Sequence, residues 1–324
     1  MFRKHVSPRL VLGALCMLLV PFAMAQEKFP SKPIEIIVPT AAGGGTDIAF
    51  RMLAEIAEPM LGQKVVVSNK TGGGGFIGMT SIVRAKPDGY TLGGLWNAPL
   101  TMTPHMQPAP YSPTDYATVT LADSAATIFC TKPDFPASDG KEFIDQLKAN
   151  PGKYTYGNDG VGGTLHLAAE RIFAKFGAKA RPVPFAGAGE TLKAFLGGHI
   201  DIYAGSITPI LPYVKEKQAK CLLVTTAKRV DAVPQASSLT DIGAPDAQTV
   251  LWHGLIAPKG VPEDRMAVLE KAFREAARSE RFRTYMQSRG IEVEASSAAD
   301  FRKLIDTEYT AMGDVMKSLG LAKQ

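Results

Sequence analysis

Acidic residues are absent from the first 25 positions, where Arg3, Lys4 and Arg9 stand alone as charges. Cysteine is scarce, with three in 324 residues, and no Cys-x-x-Cys pair occurs. There is also no His-Glu-x-x-His run, no Gly-x-Ser-x-Gly elbow and no Walker loop ending in Gly-Lys-Ser/Thr. Those absences exclude the usual signatures of dithiol, zinc-protease, α/β-hydrolase and P-loop chemistry. Beyond residue 25 no segment approaches 18 uninterrupted apolar residues, so none reads as a membrane span. Basic residues are not clustered: 36 Lys and Arg against 31 Asp and Glu give +5 overall. Without the first 25 positions the balance is 33 against 31, or +2. This excludes the basic footprint of a nucleic-acid binder. Glycine (31) and proline (23) make up about a sixth of the chain, enough for many turns but not for a collagen-like array.

What is present begins with a leader. A basic start, the uncharged run Leu10 to Phe22 and the small-x-small triplet Ala23-Met24-Ala25 read as a secretory signal peptide over residues 1–25. Thirteen residues rise about 20 Å as a helix, too short to cross a bilayer. A lipoprotein acceptor at Cys16 is the alternative, but Leu15 stands where a small residue is required. The expectation is an exported, soluble protein.

Behind the leader, short β-branched strands alternate with longer stretches of helical period, the pattern of an α/β protein with largely parallel sheets. Ile34 to Pro39, Val65 to Ser68, Tyr90 to Leu95, Ala126 to Thr131, Tyr154 to Gly157, Ile200 to Tyr203 and Leu251 to Ala257 read as strands. Helices are expected over Thr46 to Leu61, with Ile48, Met52, Leu53, Ile56 and Met60 inward, and over Thr164 to Phe176, with Leu165, Ala168, Ile172 and Phe176 inward. Two charged helices follow near Pro262 to Ser279 and Ala298 to Leu319. The length suits two domains.

Three strand ends run into glycine-rich turns that open helices: Pro39 to Asp47, Tyr156 to Thr164 and Phe185 to Thr191. A helix start leaves about four N–H groups unpaired and carries partial positive charge, so it attracts an anion. Ordinary βα-loop chemistry also needs glycine and a cap, so the pattern alone leaves both readings open. Asp47 would repel a polyphosphate, and the glycine spacing at Gly157 to Gly162 is wrong for a dinucleotide fingerprint. Small carboxylates fit better. His166 falls in the first turn of its helix, where the dipole favours a neutral ring, either packed or donating to a ligand. Its partner at i+4, Glu170, has no third metal ligand spaced to join it, so no metal and no cofactor are expected. Cys130 and Cys221 lie in apolar strands and read as two buried thiols, with a disulfide as the alternative that export allows. Trp252 reads as core and Trp96 as a candidate cleft wall.

The ordered segments FPSKPIEIIVP, GGGTDIAFR, KPDGYTL, NPGKYTYGNDGVGGTLHLAAE, RPVPFAGAGETLKAFLGGHIDI, LPYVKEKQAKCLLVTTAKR and WHGLIAPKGVP resemble the substrate-binding receptors of tripartite tricarboxylate transporters, the Bug receptor family. The resemblance runs from Phe29 to about Leu321. It implies a periplasmic type II binding-protein (Venus flytrap) fold, two doubly wound domains joined by a two-strand hinge near Asp123 to Ala126 and Thr249 to Trp252. Domain 1 would combine residues 26–124 and 251–324, and domain 2 would span 125–250. The family grips a carboxylate between two loops. Carried over residue by residue, the first loop supplies Thr40, Ala41, Gly44, Gly45, Thr46 and Asp47. The second supplies Asn158, Gly162, Gly163, Thr164 and His166, with walls from Trp96, Asn97, Phe185, Ala186, Gly187 and Ser206. Thr40 replaces the family's usual aromatic, and Asn158 and Gly163 replace its usual serines. Trp96 and Asn97 stand where small residues are common, which points to a flat or aromatic acid, terephthalate-like, beside the dicarboxylates. The expected protein is a monomeric periplasmic receptor, not an enzyme, that delivers a small organic carboxylate to membrane transporter subunits. An exported enzyme using Ser206 or His166 on a carboxylate or ester is the rival, and a purely sensory role a third reading.

Overall fold

The computed structural model describes residues 1–2, 28–318 and 320–323, so the expected leader lies almost wholly outside the described residues. The β-branched run β1 (Ile34–Val38) is buried and pairs in parallel with β2 (Val65–Asn69) and β3 (Thr91–Trp96). Between them lie α1 (Gly45–Leu61) and α2 (Phe76–Val83), the crossovers that parallel pairing demands. A short α3 (Thr103–Met106) precedes the long strand β4 (Tyr116–Thr131). A second set of alternations follows: α4 (Gly140–Ala149), β5 (Thr155–Asn158), α5 (Thr164–Phe176), β6 (Arg181–Pro184), α6 (Ala188–Leu196), β7 (Ile202–Ser206), α7 (Ile207–Lys215) and β8 (Lys220–Val224). The chain then returns through β9 (Val250–Pro258), α8 (Glu263–Arg278), α9 (Glu280–Gln287), β10 (Ile291–Val293) and α10 (Ala298–Ser318).

The strands join in the order β2-β1-β3-β9-β4-β7-β5-β6, with β8 and β10 also on β4. β4 is the connector. Tyr116 to Ala126 lie antiparallel to β9, whereas Thr127 to Thr131 face β7. The two segments expected at the hinge are paired strand neighbours: Ala125 sits opposite Leu251 and Ala126 opposite Val250. Register shifts between Thr118 and Thr120 and between Leu121 and Asp123 bend the strand there.

Sequence periodicity locates the main helices but mistakes one face. Along α1 the core side is Ala49, Phe50, Leu53, Ala54, Ile56, Ala57 and Leu61. Ile48 and Met52 are only half-buried, and Met60 is 44% exposed. Alanines carry little hydropathy, yet they let α1 lie close to α8. In α5 Leu165, Ala168 and Ile172 are buried as expected, with Phe176 at the margin.

Helix α7 is not legible in the sequence, because Pro209 and Pro212 interrupt its pattern. Pro209 stands in the first turn, where a missing N–H costs little, and only Pro212 is internal.

The expectation of two free thiols is corrected: Cys130 and Cys221 form a disulfide. They sit opposite each other on β4 and β8, both buried, with Cα atoms 3.9 Å apart. Sequence distance hides this pairing, since 91 positions separate the two residues. Strand register brings them face to face.

Candidate ligand-binding site

Four helices begin around one small cavity of about 20 Å³, lined by Gly45 and Thr46 of α1, Leu165 of α5, Ala188 of α6 and Ser206 before α7. A helix start carries unpaired backbone N–H groups and a fraction of a positive charge, and three of the four, those of α1, α6 and α7, have no side-chain cap. In α1 the first intrahelical bond is Ile48 N–H to Gly44 O, which leaves the amides of Gly45, Thr46 and Asp47 without an intrahelical acceptor. Two buried hydroxyls on the cavity wall, Thr40 Oγ1 and Ser206 Oγ, have no hydrogen-bond partner. A buried hydroxyl without a partner costs stability, so such a pair marks a place for a polar guest.

The cavity shares Trp96 and Asp159 with a cleft of about 510 Å³. Phe185 and Ala186 line that cleft together with Gly72, Gly73, Gly74 and Gly75. All four of these glycines have positive φ, and a Cβ at Gly75 would strike Pro99 and Trp96. Only glycine can carry the backbone along this wall.

From the second loop Asp159, Gly160, Val161 and Leu165 line these cavities, whereas the residues expected from it do not. Thr40, Gly44, Gly45, Thr46, Gly187 and Ser206 line the small cavity, Phe185 and Ala186 line the cleft, and Trp96 lines both. Ala41 N–H donates to Ala186 O at 2.8 Å, tying the first loop to the third. Asp47 supports from behind. Its carboxylate accepts from Gly43 N–H (2.9 Å), Asn69 Nδ2 (2.9 Å) and Arg51 Nε (3.0 Å), and Asn69 also donates to Thr40 O. Burial opposes ionisation of Asp47, but the bonds from Arg51, Gly43 and Asn69 outweigh it and hold the carboxyl below its ordinary range. Arg51 sits four residues after Asp47 on the same helix, whereas no sequence pattern singles out Asn69, because its role depends on β2 lying beside β1.

Other expected residues line neither cavity. Asn97 is committed elsewhere: Nδ2 donates to Val250 O and Glu308 Oε1 (both 3.0 Å), and Oδ1 accepts from Thr164 Oγ1 (2.6 Å). Through these bonds Asn97 and Thr164 join α10 to the start of α5. Asn158 Oδ1 accepts from Gly160 N–H, closing its own turn. Gly162 donates to His166 Nδ1 (3.2 Å), and Gly163 caps α5 over the Asp159 carboxylate. Burial keeps the His166 imidazole below its usual value, with the charge of Glu170 acting the other way.

Asp159, which no sequence motif marks, lines both cavities. Its Oδ1 accepts from Leu165 N–H (3.0 Å) and His166 N–H (3.4 Å), and its Oδ2 from Trp96 Nε1 (3.1 Å). The first-turn donors of α5 are thus taken by the protein's own carboxylate. Burial pushes that carboxyl up to about 6, against the hydrogen bonds that favour its charge. Since the folded value lies above the unfolded one, Asp159 stabilises the fold most below about pH 4, and this contribution is lost as pH rises through 6. The loss is about 3 kcal/mol at most. Urea denaturation at pH 4.5 and 7.5 should show the loss in the native chain and not in Asp159→Asn. Equal slopes in both would exclude it.

Among the described residues Ser206 Oγ has no hydrogen-bond partner.

A family model described as the tripartite tricarboxylate transporter family receptor matches residues 49–321. The chain belongs to that family. As a receptor of this family it is a solute-binding protein, and relatives match it end to end. A UPF0065 protein in the gbd 5′ region of Cupriavidus necator is 31% identical over 329 aligned positions, covering 100% of this chain and 99% of that protein. The solved periplasmic binding protein BugD superposes with a TM-score of 0.87 at 29% identity, covering 91% of this chain and all of that one (100%). MatC from Rhodopseudomonas palustris, solved with bound malate, gives a TM-score of 0.83 at 26% identity, covering 89% of this receptor and 99% of that chain. The receptor therefore has the periplasmic-binding-protein fold that its motifs implied. Among its described residues no helix is long and apolar enough to cross a membrane.

Proposed function

We propose that this receptor captures a small organic carboxylate in the periplasm, closes on it, and delivers it to the membrane subunits of a tripartite transporter. The observation that carries the reading is the ring of helix starts around a cavity whose Thr40 and Ser206 hydroxyls lack partners. Charge-assisted hydrogen bonds contribute about 1.5–3 kcal/mol each, so three or four offset the ordering cost and leave roughly micromolar affinity. The cavity alone has room for about one water, so a head-group enters with the loops parted and the body of the ligand in the 510 Å³ cleft. We place one lobe at residues 26–124 with 251–324 and the other at 125–250, hinged where β4 changes partners.

Thermal-shift screening of mono-, di- and aromatic carboxylates tests this reading, since a ligand that binds only the folded state raises Tm. A shift with at least one carboxylate, and loss of its uptake in a deletion strain, are the expected results. No shift across the panel would remove carboxylate capture. Asp47→Ala should weaken binding of the best ligand about tenfold, near 1.4 kcal/mol, because Gly43 and Asn69 lose the anchor that positions Thr40 and the loop amides. Calorimetry that finds native affinity in this variant would dismiss Asp47 as a support.

A further inference from the structure

The residues lining the two cavities include two carboxylates, Asp159 and Glu190, and, among the described residues, no Lys, Arg or His. Asp159 is buried between the cavities. Its three hydrogen bonds leave acceptor capacity on a carboxylate that has about four lone-pair sites. Oδ2 takes one bond, from Trp96 Nε1, beside the cleft that the Trp96 ring also lines. Glu190 stands exposed at the rim, accepting from Ala186 N–H. The small cavity that Asp159 also lines carries the partnerless Thr40 and Ser206 hydroxyls and the first turn of α1, a donor set for one anionic head-group. A ligand with a second carboxylate would bring it against fixed negative charge, with no cation on the lining to answer it. A ligand with a cationic nitrogen would meet a buried carboxylate and an aromatic ring together, the usual surroundings of a bound ammonium.

We propose that the cleft selects aminocarboxylates over dicarboxylates, the carboxylate seated by Thr40, Ser206 and the start of α1, and the ammonium held against Asp159 and Trp96. This rests on the receptor reading and narrows its ligand. Asp159 is then the specificity-determining residue, and its effect is a choice between ligands of equal length.

Isothermal titration of the full mature chain at pH 7.5 with adipate, 6-aminohexanoate and norleucine, all of six carbons, tests it. At least one aminocarboxylate should bind tenfold or more tightly than adipate. In Asp159→Asn and Asp159→Ser that preference should shrink about tenfold or reverse, with adipate gaining. Adipate binding more tightly than both aminocarboxylates, neither aminocarboxylate binding, or a ratio that Asp159→Asn leaves unchanged would each overturn the inference. The first two outcomes are read on the native chain and decide the matter even where a variant fails to fold. If diacids bind and aminocarboxylates do not, the selection fails while the receptor reading stands; if the whole carboxylate panel is silent, the receptor reading fails with it.

Discussion

Gly189→Val is expected to weaken ligand binding at least about 100-fold while leaving the Tm of the ligand-free protein within about 3 °C. At Gly189, in the first turn of α6, a Cβ would stand 2.5 Å from Ala42 O and 2.9 Å from Gly44 N. Both are backbone atoms, so no side chain can swing aside. The loop carrying Thr40 to Gly45 and the start of α6 would have to separate, and the Ala41 N–H to Ala186 O bond would be lost with them. If capture is closure, the separation deprives the head-group of the donors from one side. Losing two charge-assisted bonds at about 1.5–3 kcal/mol each accounts for two or more decades of affinity. On the two-lobe reading proposed above, parting the lobes relieves the clash, so fold stability should change little. Calorimetry with the best ligand reads the first effect, and small-angle scattering should find the variant unchanged in radius on adding ligand. Native affinity in Gly189→Val would mean that these loops need not meet for binding.

Removing the disulfide should have the largest effect on stability. Cys130→Ala with Cys221→Ala is expected to cost about 2–5 kcal/mol, because the bridge closes a loop of some 91 positions and so restricts the unfolded chain. At about 2–4 °C per kcal/mol the Tm should fall by roughly 10 °C. The β4–β8 ladder that brackets the pair should survive, so ligand affinity at 20 °C should be nearly native. An unchanged Tm would return both residues to the role of small apolar fillers.

The contrast between Asp47 and Asp159 shows how far sequence can go at this site. Both are aspartates at glycine-rich strand-to-helix junctions, Asp47 in the first turn of α1 and Asp159 in the loop before α5. Asp47 belongs to a loop motif that marks it for the site, and the structure pairs it with Gly43 N–H, Asn69 and Arg51. Asp159 is visible in Asn158-Asp159-Gly160 yet carries no such mark, because its weight comes from Trp96, 63 positions away, and from burial that no local pattern encodes. Asn97 errs in the opposite direction. Adjacency to Trp96 suggests a cleft residue, but at the end of β3 successive side chains diverge, and Asn97 turns to Glu308 on α10, 211 positions distant.

By itself the sequence determined the strand–turn–helix alternation, the family and the two loops that carry the glycines. Each of those is a local matter of hydrophobic period, turn chemistry and motif order. Tertiary structure alone decided the partner of each cysteine, the face of α1, the helix broken by prolines and which loop residues look into the cleft rather than behind it. Such outcomes depend on register and on side chains meeting across the fold, and sequence spacing holds no record of distance in space.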